Sequence, residues 1–244
     1  MALEIIQCNH EIVLKGDASC YLDVQEGMNT HITISPDSHI DVYANITQGL
    51  NGKLSFTVEP YALLTTHMAY ACDEAIDFSI YCDVKEHGEA IVNNACINSS
   101  NMKQSIDTHI HHSGAESLST LNNYAASKGT SVLWMNTNGS IEKGCTHAVC
   151  HQKTRGLILD KTAYISSMPL LCIDWFDSSS SHGVAIGELS EAEMFYLCSR
   201  GLTEQEARLM LTLGFMNPFI RDIKDEALKS RIEEELTKRI LGHE

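Results

Sequence analysis

The feature that most constrains the fold is a long succession of short β-like segments, from residue 1 to about residue 168, with almost no helical periodicity. Gly, Asn, Asp and Ser bound the segments. In Ala75–Asp83 every second residue is apolar, which is the period of a strand that buries one face. Strands that recur at this spacing predict a sandwich, a barrel or a β-solenoid. Examples of these segments are Glu11–Leu14, Tyr21–Val24, His31–Ile34, His39–Ile46, Leu54–Val58, Ala75–Asp83, Ala90–Ile97, Ser105–His112 and Ser131–Trp134.

The residues inside these segments favour the solenoid. Small polar residues (Asn, Ser, Thr and His) lie within the strands, as they do where like residues stack between successive coils. No fixed repeat period accompanies them, although most solenoids show one. Gly49–Gly52 and Asn138-Gly139 are predicted to be turns.

The composition changes near residue 188, where a helical pattern begins. Ser190–Glu193 and Thr203–Glu206 each match a capping box, and Gly201 is placed to end the first helix. Asn217-Pro218 is predicted to end the second helix, and a third is predicted from about Ile220 to Leu241. The sequence therefore predicts a β domain over residues 1–187 and a helical subdomain over residues 188–244.

Charge and cysteine usage limit the setting in which the chain works. The net charge is -15, which is unsuited to a nucleic-acid partner. The first residues lack a basic and apolar leader, and no apolar run approaches the roughly 20 residues of a membrane helix. Nine scattered cysteines indicate reduced thiols, most of them buried as small apolar residues. These features predict a cytoplasmic protein with no membrane and no nucleic-acid partner.

Two short clusters carry metal-ligand types. If Cys145–His151 is a strand, Cys145, His147 and His151 share one face and Cys150 points to the other. Thiolate and imidazole together suit zinc or iron, whereas the alternative is a polar strand in a stacked ladder. In His109–His112, His109 and His111 would share a face, with the same two interpretations.

The remaining motifs give no sign of nucleotide binding, and they leave one histidine as a candidate metal ligand. No phosphate-binding glycine loop is present, so the chain is not expected to bind a nucleotide itself. The acidic pair Asp73-Glu74 is too generic to indicate a glycosidase. His182 lies between the serine run Ser178–Ser181 and Gly183, where it is either a loop residue or an imidazole displayed to a metal.

The segment Pro169–Phe215 resembles the C-terminal signature of the SufB/SufD family, the scaffold proteins of the SUF iron–sulfur cluster assembly system. The matching elements, in order, are Pro169-Leu170-Leu171, Ser181–Gly187, Phe195–Leu202, Glu206-Ala207-Arg208 and Gly214-Phe215. The resemblance implies a right-handed parallel β-helix (a β-solenoid) with a C-terminal α-helical subdomain. Strand-like sequence begins almost at once, so a counterpart of the family's N-terminal helical region is not expected in these residues.

The resemblance also implies partners and a cargo for a non-enzymatic scaffold. Family members dock their C-terminal helices on SufC, an ABC-type ATPase, and pair with one another through the β-helix. The partner would be a SufB-like subunit or a second copy. A transient iron–sulfur cluster at the interface would use His182, with Cys145, His147 and Cys150 as further candidate ligands. The residues expected to bind the ATPase are Phe195, Tyr196, Arg200, Gly201, Leu202, Ala207, Leu211, Gly214 and Phe215.

Two positions indicate the SufD-like type. SufB-like members carry a Glu after the junction histidine, where this chain has Gly183, and an essential Cys that aligns close to Thr154. Cys150 lies nearby in the sequence but not at that place. The chain is therefore similar to SufD-like members, or to a single-type SufBD member. Two other functions stay open: a structural ATPase-docking stabiliser without metal contact, and a β-solenoid polysaccharide hydrolase or lyase with acidic residues clustered along a groove.

Overall fold

The computed structural model describes residues 4–7, 11–99 and 101–241 and forms two parallel sheets of eight strands each. Successive strands alternate between the sheets up to the fourteenth strand, so the chain winds as a β-solenoid, as predicted. The first sheet contains β1 (Glu4–Gln7), β3 (Asp17–Asp23), β5 (His39–Ile46), β7 (Leu63–Tyr70), β9 (Glu89–Asn98), β11 (Leu118–Ser127), β13 (Val149–Ile158) and β16 (Ser179–Glu188). The second contains β2 (Glu11–Leu14), β4 (Asn29–Ile34), β6 (Leu50–Val58), β8 (Ile76–Val84), β10 (Lys103–His112), β12 (Val132–Ile141), β14 (Tyr164–Ser166) and β15 (Pro169–Ile173).

Alternation along each strand separates the solenoid interior from its surface. In β8 the apolar residues Ile76, Phe78, Ile80 and Cys82 are buried, as their spacing predicts, and Asp77 is exposed. Inward residues of the two sheets form one continuous core that runs from β3 to β14.

The coils lengthen along the chain, which explains why no repeat period is visible. Pairing in the first sheet joins His39 to Leu63 and Leu63 to Glu89. The next two steps join Glu89 to Leu118 and Leu118 to Val149, and each of these four steps spans more of the sequence than the one before it. Extra residues enter at the turns, so the strands stay in register while the sequence period drifts.

One turn recurs with the same backbone conformation in five successive coils. Five residues that are not glycine have positive φ there: Asp37, Tyr61, His87, Glu116 and His147. The backbone N–H of each donates to a carbonyl of the next coil, as from Glu116 to Thr146 and from His147 to Asp177. This column of hydrogen bonds repays the cost of a left-handed residue, about 1–2 kcal/mol at each turn.

Two predicted turns lie inside strands instead. Asn138-Gly139 falls within β12, and Gly52 falls within β6. Their glycines are needed for close packing: a Cβ at Gly139 would lie 2.6 Å from Cys150 Sγ, and one at Gly52 would lie 2.7 Å from Met28 O. These glycines therefore signal crowding rather than chain reversal.

Gly114 is where added volume is expected to do most harm to the solenoid. A Cβ there would overlap the backbone of the previous coil around Glu86. We expect Gly114→Ala to lower the free energy of unfolding by about 3 kcal/mol in urea denaturation, because backbone cannot give way as a side chain does. Gly214→Ala is the control: it lies in a helix with no atom within 4 Å of the new Cβ, so a gain of about 0.5–1 kcal/mol is expected.

Three helices follow the solenoid: α1 (Glu191–Ser199), α2 (Glu204–Arg221) and α3 (Glu226–Leu241). Their first caps are as predicted. Ser190 caps α1, Gly201 has positive φ directly after it, and Thr203 with Glu206 forms a complete capping box on α2.

The boundary between α2 and α3 differs from the prediction. Helix α2 continues through Pro218 to Arg221, because Met216 before the proline and Phe219 after it are both buried against the solenoid. Their burial outweighs the lost helical hydrogen bond. Helix α3 begins only at Glu226, after Asp225, whose carboxylate accepts the Leu228 N–H.

Helices α2 and α3 cover the outer surface of the first sheet. Their buried apolar residues form one cluster with outward residues of β5, β7, β9 and β11, including Tyr43, Ala69, Ala95 and Tyr124. Lys224 Nζ reaches Asp41 at 2.7 Å, and Lys128 Nζ donates to the carbonyl of Ile240 at 2.9 Å. Among residues 4–7, 11–99 and 101–241, no helix is long and apolar enough to cross a membrane.

Candidate functional site

His182 lies in the middle of β16, the last strand of the first sheet, rather than in a loop. It pairs in register with Gln152 of β13, and every residue of β16 is exposed. The reason is topological: β13 borders β16 on one side, and β16 ends the order of strands in the sheet. The Ser181-His182-Gly183 sequence therefore forms an open strand edge.

The imidazole of His182 projects from the interior face of the sheet. Its neighbours on β13 with the same facing are Cys150, Gln152 and Thr154, all of them buried. At His182 the solenoid interior opens to solvent, because the described coils end there. No described residue forms a hydrogen bond or ion pair with the His182 side chain.

A line of buried polar groups lies behind this open end. Asn94 Nδ2 donates to Asn123 Oδ1 at 3.0 Å, and Asn123 Nδ2 donates to Thr154 Oγ1 at 3.3 Å. Thr137 Oγ1 donates to Gln152 Oε1 at 2.7 Å. These bonds offset the cost of burying polar groups in the core. Thr154, close to which the family resemblance predicts the cysteine of SufB-like members, is thus a buried member of this network.

The Cys145–His151 segment is only partly a strand, which separates its candidate ligands. Residues 145–148 form a turn, and β13 begins at Val149. Cys145 and Cys150 pack into one buried cluster, while His147 turns outward and pairs with Asp177 at 3.5 Å. The expected shared face of Cys145, His147 and His151 is therefore wrong, because positive φ at His147 and at Gly144 reverses the chain.

The surroundings of the two buried thiols favour the protonated form. Burial raises the pKa of Cys145 and of Cys150 above the usual thiol value. A raised pKa disfavours the thiolate, which is the form that binds metal. Among the described residues, no group of three or more His, Cys, Asp or Glu side chains lies close enough to hold a metal ion.

The histidines of β10 belong to stacked ladders. His109 stacks on Tyr81 with 4.5 Å between ring centroids, and His111 is hydrogen-bonded to Ser140 at 2.8 Å. The two share the outer face, as expected. His112 is buried between Ser117 and Ser119, each at 2.7 Å, and burial lowers its pKa to about 4.

The predicted ATPase-binding residues divide by exposure. Helix α1 buries none of its residues, and Phe195 and Tyr196 are 77% and 56% exposed. Arg200, Gly201 and Gly214 are also exposed, Leu202, Leu211 and Phe215 are half-buried, and Ala207 is fully buried. We call the exposed face of α1 around Phe195 and Tyr196 the α1 surface.

An acidic groove bears on the polysaccharide hypothesis. Glu26, Glu74 and Asp77 line an open groove of about 910 Å³ with Trp134 on its wall. The Glu26 carboxylate accepts the Asn51 N–H at 2.7 Å, and that of Glu74 accepts the Gly49 N–H. Both carboxylates thus accept hydrogen bonds from backbone N–H groups at the start of β6. In a glycosidase the carboxylate oxygens would instead be directed at the sugar.

Comparison with known proteins relates these strands and helices to one protein family. The model of the SUF system FeS cluster assembly SufBD core domain matches residues 75–215, from the turn before β8 into α2. The iron-sulfur cluster assembly protein SufD of Bacillus subtilis is 26% identical over 137 residues, 56% of this chain and 31% of that protein. SufD of Escherichia coli is 31% identical over 86 residues, 35% of this chain and 20% of that protein.

A SufBD family protein of Pyrococcus horikoshii is 34% identical over 90 residues, 37% of this chain and 20% of that protein. The matches thus cover between 20% and 31% of these three relatives.

Proposed function

This chain belongs to the SufBD family, and on that premise we propose that it is a SufD-like, non-enzymatic scaffold subunit of a SUF-type iron–sulfur cluster assembly system. The observation that carries the proposal is the family match over residues 75–215. That range contains the open edge β16, helix α1 and most of α2. Two of the similar proteins are themselves named SufD.

The proposed ATPase contact is the α1 surface. Helix α1 is short and buries none of its residues, so its side chains contribute little to the stability of the chain. Its two exposed aromatic rings are therefore suited to contact a partner protein. The partner is an ABC-type ATPase of the SufC kind, which would supply the nucleotide chemistry. The buried Ala207 would support this surface from below instead of contacting the ATPase.

The proposed cluster site is the exposed edge around His182. An imidazole that projects from an open strand edge is accessible to a metal, and its neutral form is a good ligand for iron. One imidazole cannot hold a cluster, so a second subunit across the edge would supply further ligands. The cluster is a cargo under assembly and not a resident cofactor. Cys145 and Cys150 would join only after the buried coil opens and the thiols ionise.

The proposal is tested with the ATPase and the chain produced together. We expect a stable complex on size-exclusion chromatography, and absorption of an iron–sulfur cluster after anaerobic reconstitution with iron and sulfide in the presence of a SufB-like subunit. His182→Ala should lower the cluster yield several-fold and leave the complex intact. The matched control is His39→Ala, another exposed histidine on the first sheet, which should change neither.

The possible outcomes separate the competing functions. A stable complex that forms no cluster, with no effect of His182→Ala, would favour a structural stabiliser of the ATPase. No binding to the ATPase under any condition would contradict the scaffold function itself.

A further inference from the structure

One histidine, far from the proposed cluster site, lies between the solenoid and the helices that cover it. His67 projects from the outer face of β7 and is 2% exposed. Its ring stacks on Tyr43 of β5 with 5.4 Å between centroids and an interplanar angle of 21°. Phe219 of α2 covers it from above at 5.7 Å. The burial of His67 therefore depends on the docking of the helices.

The polar atoms around this histidine are poorly paired. Neither ring nitrogen of His67 has a hydrogen-bond partner among the described residues, and the same holds for the Tyr43 hydroxyl and the Asn45 side-chain amide. A buried imidazole without partners is much easier to accommodate neutral than charged. Protonation of His67 in the docked state is thus opposed by its surroundings.

The charged groups that face His67 do not reverse this preference. Asp41 of β5 and Asp222 at the end of α2 favour the charged ring, and Lys224 in the next turn opposes it. Asn93, its partner in register on β9, is neutral and donates to the carbonyl of Thr66. Burial is the largest influence and lowers the pKa of His67 to about 4 from its ordinary value of 6.5.

We infer that His67, held between Tyr43 and Phe219, is a pH-sensitive latch whose protonation releases α2 and α3 from the first sheet. Lifting Phe219 exposes the ring to water, where it regains an ordinary affinity for protons. The undocked state therefore binds one more proton than the docked state whenever the pH lies between the two pKa values. Since protons favour the undocked state, acid weakens docking.

The direction and size of the effect follow from linkage. His67 has a lower pKa in the docked state, so docking is strongest above pH 6.5 and weakens as the pH falls towards 4. Between pH 7.5 and pH 5 the docking equilibrium constant is expected to fall about 30-fold.

Native-state hydrogen exchange on the full chain tests the latch. After correction for intrinsic exchange, protection of the amides of α2 and α3 should fall about 30-fold from pH 7.5 to pH 5. His67→Phe and His67→Leu keep an apolar filling between Tyr43 and Phe219 but cannot titrate, so both should lose most of this fall. His39→Gln, which changes an exposed histidine of the same sheet, should retain it.

Two results would overturn the inference. One is an undiminished loss of α2 and α3 protection in the His67 variants. The other applies even if those variants fail to fold: an NMR titration of the wild-type His67 ring that gives a pKa near 6.5 while the helices stay docked. Neither result depends on the assignment to iron–sulfur assembly, because neither measurement involves the ATPase or a cluster.

Discussion

Val184→Pro is expected to prevent the proposed pairing of β16 with a second subunit while the fold of the chain is retained. The proposed dimer forms when the open edge of β16 pairs with the same edge of a second copy or of a SufB-like subunit. Val184 lies near the middle of this ten-residue strand. Proline removes one N–H donor from each copy and restricts φ, which should cost about 3 kcal/mol per dimer, or roughly 100-fold in Kd.

The choice of Val184 follows from the hydrogen bonds of β16. Ser179 N donates to Ala148 O, and Leu189 N donates to Ile158 O, so the odd-numbered N–H groups of the strand point towards β13. Successive backbone groups of a strand alternate in direction, so the even-numbered groups, Val184 among them, point to the open edge. An exposed edge of this length is a ready template for another chain.

This directionality supplies the controls. Val184→Ala keeps the N–H and should remain dimeric, and Ile186→Pro should reproduce the effect because its N–H also points outward. Sedimentation velocity over a range of concentrations measures Kd directly, and circular dichroism reports whether the sheet is kept. If Val184→Pro and wild type have the same Kd, the interface lies elsewhere on the solenoid.

Local pattern was sufficient to predict strands and the helix caps, whereas the choice of a solenoid over a sandwich or a barrel also rested on the family resemblance. Alternation in Ile76–Cys82 and the capping residues Ser190 and Thr203 act within a few residues, where sequence spacing decides the outcome. Polar inward residues such as Asn94 and Thr154 find their partners in other segments of the chain, so sequence alone could not distinguish a buried network from a surface ladder.

The errors in the candidate site arose from contacts between distant residues. Gly139 suggests a turn until Cys150 and Gln152 of β13, in the opposite sheet, are packed against it. Sequence spacing grouped His147 with Cys145. In the structure His147 lies in the recurring turn of the solenoid, where its φ is positive, and its side chain points away from Cys145. His67 gave no signal at all, because its burial is imposed by Phe219, which lies on α2, far along the chain from β7. Sequence placed His182 correctly near the end of the solenoid, but only the sheet order places it on an open strand.

Replacing Phe195 and Tyr196 together by alanine is expected to weaken the proposed binding of a SufC-type ATPase strongly without changing the stability of the chain. The two rings are exposed and contribute nothing to the described core, so their loss should alter the free energy of unfolding by less than about 0.5 kcal/mol. At a protein interface, buried aromatic anchors each contribute about 2 kcal/mol or more, so the double variant should weaken binding by roughly 1000-fold.

Tyr164→Ala is the matched control for the α1 surface. Tyr164 is 53% exposed, against 56% for Tyr196, and it lies on β14 of the solenoid instead of on a helix. The same chemical change there should leave the affinity for the ATPase unchanged in isothermal titration calorimetry. Equal losses of affinity from the two variants would mean that the ATPase binds exposed apolar surface without preference for α1. If the double variant loses no affinity, α1 is not part of the interface. If affinity is lost only on substitution in α1, the ATPase binds there and the edge of β16 stays free for a second subunit. One chain would then bind the ATPase and the second subunit through separate elements.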